Sequence, residues 1–152
     1  MEPRIRFCTS ADGTRIAYAT LGEGPPLVWV PDWGANLELE WRHPDGHAFV
    51  DRLSCGRLYV TYDRRGLGAS QREVDDLSLA AHVADVAALV HHLDLEQFDL
   101  LGMSMARRLL LPTPHSTLSG CHVSCCGRRI PVGVEIVRPG TIRSLGELIR
   151  ET

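Results

Sequence analysis

Hydrophobic positions in the first hundred residues alternate between strand-like and helix-like spacing. Residues 5–10 and 14–20 are rich in β-forming side chains and flank an Ala-Asp-Gly turn, so they predict an antiparallel hairpin. Short continuous apolar runs follow at 27–30, 57–62 and 98–102, the pattern of strands that are covered on both faces. The chain is therefore expected to form a sheet that begins antiparallel and continues parallel.

Two helices are predicted between these later strands. Residues 45–54 place Phe49, Val50 and Leu53 at roughly helical spacing. From Ser78, a good N-cap, apolar residues recur at steps of four and three as far as Leu93. Helices between strands are the crossovers of a parallel sheet, so the predicted class is an α/β layer fold.

This order ends after Met105. Residues 106–152 contain two arginine pairs, a cysteine cluster and scattered prolines and glycines, and no apolar period persists. At most a short strand at 132–137 and a turn of helix at 142–149 fit the pattern. We predict a folded region over 1–105 and an irregular or disordered tail over 106–152.

Length and composition narrow the class of partner. The 152 residues suit one domain, and a net charge of -3 gives no reason to expect nucleic acid or an acidic membrane. The charged N-terminus has no long apolar run, which predicts a cytoplasmic protein without a membrane span and with its five cysteines as free thiols. These properties favour a small molecule as ligand over nucleic acid or a membrane surface.

The strongest chemical motif follows the last predicted strand. Gly102-Met103-Ser104-Met105-Ala106 nearly matches G-x-S-x-G, in which a sharp strand-to-helix turn exposes a nucleophilic serine. Ser104 would be the nucleophile, and the backbone N–H of Met105 would stabilise an oxyanion. A purely structural serine is the alternative.

Four features in order make the chain resemble the α/β-hydrolase family over residues 4–105. They are a DGxxIAY-type hairpin at 12–18, a D-x-R-G-x-G-x-S loop at 63–70, the helix after that loop, and the turn at Ser104. The opening also resembles hydrolase-type domains attached to cyclase or regulator modules in some bacterial proteins. The resemblance implies an incomplete α/β-hydrolase sheet and an esterase-type ancestry, with an ester-like small molecule as substrate.

The resemblance also implies partners for Ser104. The family usually has a His-Gly segment after its third strand, and here Asp32 or Trp33 would supply the second oxyanion N–H from that loop; a plain structural loop is the alternative. The family's acid and histidine follow the serine. The tail offers His115 and His122, but neither lies on a recognisable late loop, so we predict that neither acts as the base.

A zinc site is a further alternative in the tail. Cys121, His122, Cys125 and Cys126 are suitable ligand types, but adjacent cysteines suit one tetrahedral site poorly and no second ligand pair has finger spacing. We therefore predict no metal and no cofactor.

We hypothesise that a shifted reading frame causes the change after Met105. Codons permitted for residues 112–127 can be chosen so that the overlapping frame reads Tyr-Ala-Ala-Gln-His-Pro-Glu-Arg-Val-Ser-Arg-Leu-Val-Leu-Trp. That string resembles the end of the helix after the serine and the next strand of α/β-hydrolases. The predicted function is thus a truncated, inactive chain of serine-hydrolase ancestry, with a non-catalytic ligand-sensing or regulatory domain as the alternative.

Overall fold

The N-terminal hairpin forms where the alternation predicts it. The computed structural model describes residues 4–102, 123–125, 128–130 and 135–137 of the chain. Strands β1 (Arg6–Thr9) and β2 (Arg15–Leu21) pair antiparallel around the tight turn. Within that turn, the Asp12 carboxylate accepts the N–H of Thr14 at 2.9 Å, which fixes the reversal of the chain.

The parallel part of the sheet follows the predicted alternation of strands and helices. Its elements are β3 (Pro26–Val30), α1 (Leu37–Arg42), α2 (Pro44–Ser54), β4 (Leu58–Tyr62), α3 (Leu79–His92) and β5 (Asp99–Gly102). The order across the sheet is β1-β2-β4-β3-β5. β2 pairs antiparallel with β4, whereas β3 pairs parallel with both β4 and β5. The predicted change from antiparallel to parallel pairing is confirmed, and it occurs at β4.

Short strands are also described within the tail that was expected to be irregular. They are β6 (Val123–Cys125), β7 (Arg128–Ile130) and β8 (Glu135–Val137). β6 and β7 form a separate antiparallel pair, and β8 adds to the main sheet antiparallel to β5. The chain therefore continues the sheet beyond β5 with reversed strand direction.

Helices cover the two faces of the central strands. On one face, Val83, Val86 and Leu89 of α3 pack with alternate strand residues that include Val28 and Val60. On the other face, Val50 and Leu53 of α2 pack with a second buried cluster containing Leu27, Trp29, Tyr59 and Leu101. Each strand thus contributes side chains to two cores, which explains its continuous apolar sequence.

One helix and one thiol differ from the sequence-based predictions. Helix α1 was not predicted; it begins after Asn36, whose side chain accepts the N–H groups of Glu38 and Leu39 at 3.0 Å. Cys8 is a free buried thiol, as predicted, but Cys55 is disulfide-bonded. Among the described residues, no helix is long and apolar enough to cross a membrane.

Candidate active site

The carboxyl ends of three parallel strands meet at one edge of the sheet. Val28 is in register with Val60 of β4 and Leu100 of β5, and Val30 is in register with Gly102. From β3 the chain moves to β4 on one side and then to β5 on the other, with the connecting helices on opposite faces. Ligands of open α/β sheets bind in the crevice that such a reversal leaves at the carboxyl edge.

Of the four predicted site residues, two lie in the described part of this edge. Asp32 and Trp33 lie on the loop after β3, and the structure describes the chain as far as Gly102, two residues before Ser104. Ser104 and Met105 themselves lie outside the described residues, as do the candidate bases His115 and His122. Their roles stay predictions.

The four tail residues considered and rejected as zinc ligands lie mostly outside the described residues as well. Cys121, His122 and Cys126 lie outside the described residues, and only the backbone of Cys125, at the end of β6, is described. In the part of the chain that the structure describes, no group of three or more His, Cys, Asp and Glu side chains could hold a metal ion.

In the loop after β3, the backbone turns around Asp32, which accepts two hydrogen bonds from the residues that follow it. The Trp33 N–H donates to Asp32 Oδ1 at 2.8 Å, and the Ala35 N–H donates to the Asp32 carbonyl at 3.3 Å. An oxyanion could accept the Trp33 N–H only after the first of these bonds is broken. The neighbouring N–H of Asp32 has no such competing bond within the described chain, so its use by an oxyanion would break no described hydrogen bond.

The loop at 63–70 fixes the neighbouring strand ends. The buried Asp63 carboxylate accepts the N–H of Leu37 at 2.9 Å and that of Ala69 at 2.8 Å. Gly68 has φ +52, and a Cβ there would overlap the Asp63 carboxylate. Ser70 Oγ donates to the Asp63 carbonyl at 2.6 Å and accepts the Ala17 N–H at 2.8 Å. These bonds join the loop to α1 and to β2.

Arg65 joins three further segments at this edge. Its guanidinium makes two hydrogen bonds of 2.7 Å to the Asp85 carboxylate on α3, a third of 2.8 Å to Asp12, and a fourth of 3.0 Å to the Asp76 carbonyl. The Arg65 and Asp85 side chains are 1% and 0% exposed. The bond from Arg65 lowers the pKa of Asp12 to about 2. Arg65, the arginine of the D-x-R-G-x-G-x-S loop, therefore connects the hairpin turn to α3.

Arg64 and His82 form a polar cluster with Trp33. The Arg64 guanidinium carbon lies 4.6 Å from the centre of the Trp33 ring, and the His82 ring meets Trp33 edge-on with centroids 5.7 Å apart. Arg64 and His82 are each 3% exposed, whereas Trp33 is 50% exposed. Burial, reinforced by the nearby Arg64 charge, lowers the pKa of His82 to about 4, so its imidazole is neutral at pH 7.

Sequence reasoning did not identify this cluster. Two adjacent arginines follow β4, and nothing local distinguishes the one that pairs with carboxylates from the one that does not. The usable signal was His82, a histidine on the buried side of the apolar stripe of α3. A polar residue at such a position requires a partner or a function.

The sequence of the chain is similar to those of several known proteins, although no protein-family model matches it. A Mycobacterium tuberculosis protein that bears the name non-heme bromoperoxidase BpoC is 31% identical over 117 residues, which cover 74% of this chain and 43% of that protein. The non-heme chloroperoxidase CPO-A1 of Kitasatospora aureofaciens is 31% identical over 103 residues, covering 65% of this chain and 34% of the relative. The chain belongs to the α/β-hydrolase family.

Solved structures of α/β-hydrolases agree with this assignment. The epoxide hydrolase VrEH1 of Vigna radiata superposes with a TM-score of 0.60 at 23% identity over 71% of this chain and 34% of that chain, which supports the fold alone. A hydrolase of Pseudomonas aeruginosa PA01 gives 0.58 at 28% identity, over 66% and 37% of the two chains. This α/β-hydrolase chain spans less than half the length of the relatives it matches.

Proposed function

We propose that residues 1–105 are the N-terminal portion of a serine-hydrolase domain and that the tail from Ala106 is read in a shifted frame. The first part is supported by the position of Gly102. This residue ends β5 at the carboxyl edge of the sheet, in register with Val30 at the end of β3 and beside the loop that contains Asp32. Ser104 follows two residues later in the sequence, where a strand-to-helix turn would present it as a nucleophile.

The reaction of the parent domain is acyl transfer to water. Ser104 Oγ would form a bond to an ester carbonyl carbon while its proton passes to a base, and the carbonyl electrons would move onto oxygen. The N–H groups of Met105 and Asp32 would stabilise that oxyanion. The tetrahedral species would then expel the alcohol, which takes the proton, and water would release the acid from the serine ester in a second cycle.

The proposal that this chain does not turn over efficiently rests on the lack of an identified base for Ser104. His82 is buried near the carboxyl edge of the sheet, but its pKa of about 4 makes its imidazole a poor proton acceptor at neutral pH. The family order also requires the histidine after Ser104, and within residues 106–152 neither His115 nor His122 lies on a recognisable late loop.

Hydrolysis of a p-nitrophenyl ester tests this proposal. The purified chain should release nitrophenolate no faster than its Ser104→Ala variant, with Ser54→Ala as a control substitution of another serine. Turnover that Ser104→Ala abolishes and Ser54→Ala retains would contradict the predicted inactivity. The nucleotide sequence of codons 104–127 tests the frame separately, because codons that do not spell the hydrolase strand in the overlapping frame would refute it.

A non-catalytic ligand-binding domain is the second candidate function. The observation that favours it is the pair of buried side chains Arg64 and His82: Nε and Nη1 of the arginine and both ring nitrogens of the histidine have no hydrogen-bond partner within the described chain. Saturable ligand binding by a monodisperse, cooperatively folded sample that shows no turnover would support this function over the first.

A further inference from the structure

Arg64 is a buried cation whose hydrogen-bonding groups are not satisfied. Its Nε and Nη1 atoms are inaccessible to solvent and have no hydrogen-bond partner in the described chain. The adjacent Arg65, equally buried, is surrounded by the carboxylates of Asp85 and Asp12. A buried guanidinium without an acceptor is strongly unfavourable, so Arg64 is a position that an anionic acceptor would stabilise.

His82 adds hydrogen-bonding capacity without adding charge. Neither of its ring nitrogens has a hydrogen-bond partner among the described residues. The neutral imidazole carries one donor and one acceptor nitrogen. An anion held by Arg64 beside Trp33 could therefore accept a second hydrogen bond from His82.

Trp33, which contacts both Arg64 and His82, and two leucines near His82 in the chain are exposed apolar side chains. Trp33, Leu77 and Leu79 are 50%, 52% and 47% exposed. Leu79 lies three residues before His82 on α3, which places both on one face of that helix. A ligand that satisfies the cluster would thus combine an anionic group with an apolar body.

We propose that Arg64, His82 and Trp33 form a subsite for the carboxylate of a small organic acid. The planar guanidinium matches a carboxylate, and the alkyl part of the acid would lie against the exposed Trp33 and Leu79. A phosphate dianion fits less well, because the subsite supplies one positive charge. The role of this subsite in binding a substrate rests on the proposed function, whereas binding itself does not.

Entry to the subsite requires Trp33 to move. The indole ring lies over the guanidinium and is half exposed on a loop in which the next residue, Gly34, has φ +90. The indole N–H resonance of Trp33 is therefore a direct reporter, because a carboxylate that reaches Arg64 must change the environment of this ring.

Titration with hexanoate, followed by calorimetry and by the Trp33 indole N–H resonance, tests the proposal. Saturable binding of hexanoate is expected, with much weaker binding of hexanamide and of inorganic phosphate. Arg64→Met should weaken hexanoate binding by about tenfold to a hundredfold, the effect of losing a hydrogen-bonded ion pair. Arg42→Met is the matched control, because Arg42 is an exposed arginine on α1 and should leave the affinity unchanged.

Three results would overturn the proposal: no saturable binding of hexanoate to the wild-type chain, equal affinity for hexanamide, or equal affinity of Arg64→Met and Arg42→Met. If Arg64→Met does not fold, the exposed Trp33→Ala replaces it in calorimetry and should weaken binding several-fold. An unchanged affinity in that variant also overturns the proposal. Because no turnover is measured, failure here would leave the role of Ser104 untouched.

Discussion

Replacing Asp85 by Asn should destabilise the fold strongly while barely changing its shape. The substitution removes a charge that is 0% exposed and leaves Arg65, 1% exposed, with the half-exposed carboxylate of Asp12, 2.8 Å away, as its counter-ion. Two hydrogen bonds of 2.7 Å lose their charged acceptor. Breaking a buried ion pair from one side destabilises proteins by about 3–5 kcal/mol, a large part of the total stability of a small domain.

Asp12→Asn is the matched control because it removes a charge from the same arginine. The Asp12 side chain is 46% exposed, so its ion pair is screened by water, and a loss of about 1 kcal/mol or less is expected. In urea titrations followed by far-UV circular dichroism, Asp85→Asn should lower the midpoint by about 1–3 M, and Asp12→Asn by a fraction of that.

The refuting result is equal destabilisation by the two variants. A double replacement, Arg65→Met with Asp85→Leu, tests whether the unpaired charge causes the loss, because it removes both charges together. It should lose less stability than Asp85→Asn alone. If it loses more, the packing around the pair and not the unpaired charge determines the energy.

Two further predictions concern the same edge of the sheet. Gly68→Ala should lower the free energy of unfolding by about 2–3 kcal/mol, because its Cβ would overlap the Asp63 carboxylate at a position with positive φ. At Gly13, which also has a positive φ, a Cβ would meet no atom within 4 Å, so Gly13→Ala should lower it by only about 1 kcal/mol. Thermal unfolding measures both, and equal losses would contradict the overlap. The lowered pKa of His82 predicts that stability falls as the pH drops from 6.5 to about 4, by about 3 kcal/mol at most, because the unfolded chain binds a proton there that the folded chain does not. His82→Asn should remove this dependence, and a slope that persists in that variant would contradict the assignment.

The strands and long helices could be predicted because their side-chain patterns are local. Ser78 caps α3 as expected, accepting the Ala81 N–H at 3.2 Å, and the apolar stripe of that helix contacts the core. Helix α1 was missed because Leu37, Leu39 and Trp41 alternate as in a strand. The cap at Asn36 outweighs that alternation, and of the three only Leu37 is fully buried.

The candidate site was predictable only in part, because its contacts join distant segments. Asp32 and Trp33 lie at the carboxyl edge that the resemblance implies, but the hydrogen bond that occupies the Trp33 N–H depends on the loop's exact backbone. The different surroundings of Arg64 and Arg65 depend on where α3 and the hairpin turn pack. No pattern within the D-x-R-G segment contains that information.

The position of β3 has a consequence for folding during synthesis. This central strand is made before both of its neighbours, since Leu27 pairs with Tyr59 and with Asp99. Until the ribosome has released the chain beyond Gly102, one edge of β3 has no partner, and the two helices have an incomplete sheet to pack against. Long-range pairing of this kind slows folding and prolongs the exposure of apolar strands. Nascent chains of this protein should therefore depend on chaperones until β5 has emerged.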